Sequence, residues 1–196
     1  MDDTLLRART TVVRMCLVEW AERTAEDLLS NVGTRLIHVR RAAYRARKVA
    51  STVPPQDREL LIATALVHDI GYASDLAKTG FHPLDGARWL RDQGRDERLV
   101  CLVAHHTGAL FEARRRGLSD QLAAFPREES ATADALWYAD LTSGPTGRAT
   151  TFEARVTEIL TRYPPGSVVH ESISAARPTL AAAVGRTRKR LAVYPR

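Results

Sequence analysis

Of the six histidines in this 196-residue chain, five stand at expected helix ends or on apolar faces: His38, His68, His82, His105 and His106. His68 is followed directly by Asp69, at the end of the apolar run Leu60–Val67. Asp140 closes the series, so the order along the chain is His, His-Asp, His, His-His, Asp. A single histidine on an apolar face is most often a hydrogen-bonded core residue. Five of them with two aspartates are harder to explain, because imidazoles and carboxylates are costly to bury together unless a cation reconciles them. Successive residues of a helix diverge by about 100°. His68 and Asp69 therefore cannot chelate one ion as equals, but they can serve two neighbouring ions with the Asp69 carboxylate between them. His105 and His106 pose the same geometry. Mixed nitrogen and oxygen ligation suits Fe, Mn, Ni or Zn rather than Mg or Ca. His82, expected at a helix N-terminus, lies in a positive dipole field that favours the neutral imidazole a metal needs.

The elements that must position these groups read as helices almost throughout, giving an all-α single domain, 1–196, of roughly eight helices. Leu5–Leu29 reads as one long helix or two shorter ones, and Arg35–Val49 as the next. Asp57–Ile70 follows and ends at Gly71. In "FHPLDGARWLRDQG" His82 sits at the cap, Pro83 at the first helical position and Gly94 just past the end. Glu97–His106 is the next helix. Residues 108–129 read as a loop or lid with a short helix, and Ala131–Leu141 as a helix that "SGPTG" breaks. Thr150 and Glu153 have capping-box spacing at the start of "FEARVTEILTRY". Ser167–Leu191 is helical, with Pro178 expected to kink or restart it.

Composition narrows the class. No run is long and apolar enough to span a bilayer, and "MDDTLLRART" has acids where a signal peptide carries basic residues. Cys16 and Cys101 read as core thiols in a reducing compartment, so the expected location is cytoplasmic. Lys and Arg number 29 against 23 Asp and Glu, a net charge of +6 that attracts anions. Between Asn31 and Gln56 there is no acid, whereas Arg35, Arg40, Arg41, Arg45, Arg47 and Lys48 all occur. Trp89, Trp137 and Tyr138 lie near the candidate ligands in sequence and read as core packing. No Gly-rich phosphate loop, paired CxxC or Ser-His-Asp arrangement points to another class.

The segments "RLIHVRRAAYRA", "ALVHDIGYA", "FHPLDGARWL", "LVAHHTGA" and "WYADLTSG" together resemble the HD-domain superfamily, most closely its small HDIG-type metal-dependent phosphohydrolases. The likeness covers about residues 35–140, with the C-terminal helices at 150–191 beyond it. It lacks the "HHE" and Gly-Tyr-Pro elements of the cyclic-di-GMP phosphodiesterases. It also lacks the Glu-Asp pair of the alarmone hydrolases and the Gly-His-Pro extension of the dNTP triphosphohydrolases. The resemblance implies a first ion on His38, His68, Asp69 and Asp140, and a second on Asp69, His82, His105 and His106, with a single ion on the first set alone left open. It implies hydrolysis of a nucleotide or other small phosphoester by a metal-activated water, with Asp69 central. Arg41, three residues after His38 and so on its helix face, is the expected phosphate-binding residue. Lys78 is the second, and Arg114, Arg115 and Arg116 could close over a substrate. Two other readings stay open: a di-iron oxygenase with a similar ligand set, and a non-catalytic module binding anions or nucleic acid. The sequence leaves homodimer formation undecided.

Overall fold

The computed structural model describes residues 15–193, so the part of the first expected helix before residue 15 lies outside the described residues. Ten α-helices occur among those residues: α1 Leu17–Leu29, α2 Arg35–Val49, α3 Arg58–Val67, α4 His82–Asp92, α5 Glu97–Ala104, α6 Ala109–Arg116, α7 Ser119–Ala123, α8 Ala131–Leu141, α9 Phe152–Arg162 and α10 Val168–Val193. The all-α expectation holds. The helix count is higher than expected because residues 108–129 form α6 and α7 rather than an open lid. Gly117, with φ +67°, ends α6 and lets the chain turn into α7.

The apolar run that opens the question of burial is α3, where Leu61, Ala63, Thr64, Ala65, Leu66 and Val67 are all buried. It packs against α1, α2, α5 and α8, so it has neighbours on every side. Alanines at the contact (Ala42, Ala43 and Ala46 on α2, Ala63 and Ala65 on α3) allow the helices to approach closely. Helix α8 is buried over most of its length, between α2, α3 and α10. No described helix is long and apolar enough to cross a membrane.

Local chemistry moves several boundaries. Cys16 is exposed rather than a core thiol. Its Sγ accepts from the Glu19 backbone N–H while Glu19 Oε2 accepts from the Cys16 N–H, so the two cap α1. Cys101 is buried as expected, and burial first, then Glu97, pushes its thiol up to about 11. The cap of α9 is Thr151, whose hydroxyl accepts from Ala154 N–H at 3.1 Å. Thr150 is instead held by its own N–H, which donates to Thr142 O and closes the 142–150 loop. Helix α10 runs unbroken through Pro178. The buried side chains of Ala176, Leu180, Ala183 and Val184 hold it against its neighbours across the missing hydrogen bond.

Helix α3 stops at Val67, and Ile70–Tyr72 form a single 3₁₀ turn instead of continuing it. This turn lies directly on the start of α4. A Cβ on Gly71 would stand 2.1 Å from the His82 carbonyl oxygen and 2.7 Å from the Gly86 nitrogen. The two glycines of "HDIG" and "HPLDGA" are therefore the point where two backbones touch, which brings Asp69 close to His82. Asp85 secures the same corner by accepting from the Thr79 N–H and hydroxyl.

A second buried carboxylate ties the far side together. Asp57 accepts both arms of the Arg98 guanidinium, at 2.7 and 2.8 Å, and the Thr132 hydroxyl at 2.7 Å. The Arg98 hydrogen bonds hold Asp57 below the usual carboxylate range against the opposing effect of burial. A carboxyl depressed in the folded state stabilises the fold above its unfolded value, near pH 4, and that contribution is lost as pH falls through the folded value. Asp57→Asn is thus expected to lower the urea midpoint at pH 7 and to flatten its fall below pH 4. Identical acid limbs in wild type and variant would show that Asp57 carries none of this dependence.

Candidate metal centre

Six of the seven expected ligands converge. His38 comes from α2, His68 and Asp69 follow α3, His82 opens α4, His106 opens the turn after α5, and Asp140 lies near the end of α8. Asp69 is the hub. Its Oδ1 lies 3.3 Å from His82 Nε2, 3.6 Å from His68 Nε2 and 3.8 Å from His106 Nε2. Its Oδ2 lies 3.9 Å from His38 Nε2. Asp140 Oδ1 stands 3.0 Å from His38 Nε2 and 3.8 Å from His68 Nε2. Two groups able to hold a metal ion result, His38–His68–Asp69 and Asp69–His82–His106, and they share Asp69.

Backbone carbonyls orient the rings. His38 Nδ1 faces Gly144 O at 3.3 Å, His68 Nδ1 faces Ala65 O at 2.9 Å, and His106 Nδ1 faces Val103 O. A carbonyl only accepts, so each Nδ1 carries a proton and, in the ligating tautomer, each ring turns an Nε2 lone pair inward. His68 Nε2 is buried with no hydrogen-bond partner. His82 and His106 bring their Nε2 atoms within 3.1 Å of each other. Lone pairs facing one another and facing two carboxylates repel unless a cation lies among them. The donor set therefore fits divalent transition-metal ions.

The electrostatics agree with this arrangement. Burial lowers the pKa of both His82 and His106, which keeps the ligating neutral form. Burial alone would raise the Asp69 carboxyl, but the surrounding His68 and Arg35 side chains outweigh it and hold the group well below its ordinary range. The same contest acts on Asp140, where burial is opposed by the approach of His38 and His68 and the group stays ionised.

His105 does not join the cluster, contrary to expectation. At the end of α5 its ring turns away, and Nε2 donates to the Phe125 carbonyl at 2.6 Å. His68 follows the end of α3 and Asp69 stands at the start of the next 3₁₀ turn, which lets both reach the cluster. Arg41 also lies elsewhere, with its guanidinium over Tyr44 at 4.8 Å, and Lys78 is exposed away from the cavity. Arg35 takes the place expected of Arg41: its Nη1 donates to Asp69 Oδ2 at 2.7 Å. Helical side chains lean toward the N-terminus, so the site reached by His38 has Arg35 beside it and Arg41 a turn too far away. Arg35 also lies on the Tyr72 ring at 3.7 Å, and Tyr72 stacks on His82 at 4.0 Å.

Thr107 is a further member that the sequence did not single out. It has φ 45° and ψ 45°, the sole non-glycine residue with positive φ among the described residues. A β-branched residue is strained there. The turn aims its hydroxyl at Asp140 Oδ2, to which it donates, leaving Oδ1 for the histidines. Thr107→Val is expected to weaken metal binding about tenfold, as loss of a ligand-orienting hydrogen bond does, and Thr107→Ser to retain it. A metal titration by calorimetry giving equal affinities for all three proteins would refute this role.

A cavity of about 220 Å³ opens above the cluster. Arg35, Arg116, Arg155 and Arg162 line it with a single peripheral acid, Glu112, and Ile159, Tyr163 and Ile173 form an apolar wall. Arg114 and Arg115 are not among the lining residues.

Comparison with known proteins adds two matches. Residues 35–159 match the family described as HD domain. A stretch of 106 residues is 34% identical to a tRNA (cytidine(56)-2'-O)-methyltransferase of Picrophilus torridus, covering 53% of this chain and 28% of that relative. No solved structure matches the chain.

Proposed function

The chain belongs to the HD-domain family, and on that premise we propose that it is a metal-dependent phosphohydrolase of a nucleotide or another small phosphoester. The observation that carries this reading is the unpartnered Nε2 of His68 in a ring of inward lone pairs, beneath a cavity rich in arginine. His38, His68, Asp69 and Asp140 would hold one ion, and Asp69, His82 and His106 the other. Such ions, when bound, supply an activated water near neutral pH and neutralise charge developing on phosphorus.

The chain's own residues do the rest. Asp69 turns Oδ1 toward His68, His82 and His106 and Oδ2 toward His38, and Arg35 fixes that orientation by pairing with Oδ2. Tyr72 holds the His82 ring flat against its own. The arginines offset the charge of a phosphate, and the apolar wall excludes water from one side. A phosphate-sized ligand suits this cavity better than a nucleic-acid duplex. The relative named for a cytidine of tRNA keeps nucleotide chemistry in view without assigning its substrate to this chain.

Elemental analysis of protein purified without an affinity tag, followed by a screen of mononucleotides and dinucleoside polyphosphates, tests the reading. The expected outcome is about two transition-metal ions per chain, as two ligand sets require, with phosphate release. Two iron ions with oxygen consumption and no hydrolysis would move the function to oxidation. No uptake after reloading would overturn the metal site.

A further inference from the structure

Helix α9 brings a charge into the cavity from beyond the ordered histidines and aspartates. Arg155 is only 5% exposed, and its Nε is buried with no hydrogen-bond partner. Burying a guanidinium with an idle donor is unfavourable unless something pairs with it. Its Nη1 donates to Glu158, but the same carboxylate also lies 3.4 Å from Arg162 Nε. One acid between two arginines leaves a positive charge on this side of the cavity.

Two other arginines, Arg41 and Arg95, also bury an unpartnered Nε. Each of these lies on an aromatic ring, Arg41 on Tyr44 at 4.8 Å and Arg95 on Trp20 at 4.3 Å, and neither lines the cavity. Arg155 lines the same cavity as His38, Asp69 and Asp140. Its neighbours along α9 that also line it, Ile159 and Arg162, follow at helical spacing on one face.

We propose that Arg155 binds a tetrahedral oxyanion, the phosphoryl group of the substrate, and that α9 is the helix that recognises it. The guanidinium of this cavity-lining residue supplies charge-assisted hydrogen bonds to the oxygens, and its permanent charge favours a dianion. Arg162, about two turns further along α9, faces the part of the substrate farther from the histidines. This inference rests on the phosphohydrolase reading and gives its substrate side a specific residue.

The test is calorimetric titration of the metal-loaded protein with inorganic phosphate, for wild type, Arg155→Met and Arg155→Lys. Wild type is expected to bind, Arg155→Met to bind at least about tenfold more weakly, as loss of hydrogen bonds to a charged group implies, and Arg155→Lys also more weakly because it lacks the planar guanidinium fork. If Arg155→Met does not fold, Arg155→Lys stands in for it. The Arg155 Nε–H resonance of wild-type protein gives a measurement without substitution, and it is expected to shift saturably with phosphate. Unchanged affinity in a folded variant, or an unperturbed resonance while phosphate binds, overturns the role of Arg155 alone. A metal-loaded wild type that binds no phosphate overturns the phosphohydrolase reading together with it.

Discussion

Asp69→Asn is expected to remove metal uptake and phosphate release together while leaving the helix content of the protein unchanged. The substitution keeps the size of the side chain and removes its charge. The charge is what His38, His68, His82, His106 and Arg35 all face, within 2.7–3.9 Å of one carboxylate oxygen or the other. An amide with its oxygen toward Arg35 would turn its N–H₂ toward the histidine nitrogens, where a metal needs a ligand oxygen. Loss of a shared ligand should exceed the effect of losing an orienting hydrogen bond, giving more than about 100-fold weaker metal binding. His68→Ala should empty the first ligand set in the same way, since its Nε2 points nowhere else. Circular dichroism with elemental analysis checks both. A folded Asp69→Asn protein that keeps its full metal content would show that the carboxylate is not the shared ligand.

Gly71→Ala is expected to cost about 3 kcal/mol of stability, the upper end for an inserted methyl group in a packed interior. The reason is the identity of what it meets. The new Cβ would press on the His82 carbonyl oxygen at 2.1 Å and the Gly86 nitrogen at 2.7 Å, both backbone atoms of α4 that cannot rotate away. Relief requires α4 to retreat, and His82 would move with it. The variant should therefore lose the second ligand set first, taking up fewer ions per chain at a lower urea midpoint. Gly185→Ala is the control. Its Cβ meets nothing within 4 Å in the middle of α10, so a neutral result or a gain of about 0.5–1 kcal/mol is expected from helix propensity. Equal stability of Gly71→Ala and wild type would mean that the contact between the turn and α4 is not as close as the structure shows.

The pattern of residue types carried a large part of the answer. Helical periodicity, the proline-marked start of α4 and the all-α class are properties of short stretches of chain, and they hold in the structure; the helix expected to run to Ile70 stops at Val67 instead. The order of histidines and aspartates likewise singled out the six side chains that now face each other. Other features were visible in the sequence but not singled out by it. Thr107 stands in "HHTG" and Arg35 stands three residues before His38, at the same spacing that pointed to Arg41 after it. Arg155 carries no local sign of burial, because an arginine on an amphipathic helix reads as solvated.

By itself, then, the sequence determined which groups could ligate a metal and which stretches would be helical, because both depend on residue type and on contacts a few positions apart. The tertiary structure alone decided three other things: that His106 and not His105 enters the cluster, that Arg35 and not Arg41 meets Asp69, and that a nearly buried Arg155 lines the cavity. Those choices depend on where α3, α5 and α9 end and on how they pack against helices distant in sequence. A difference of about 100° between neighbouring side chains becomes a choice between ligand and bystander only when the opposite wall of the site is in place.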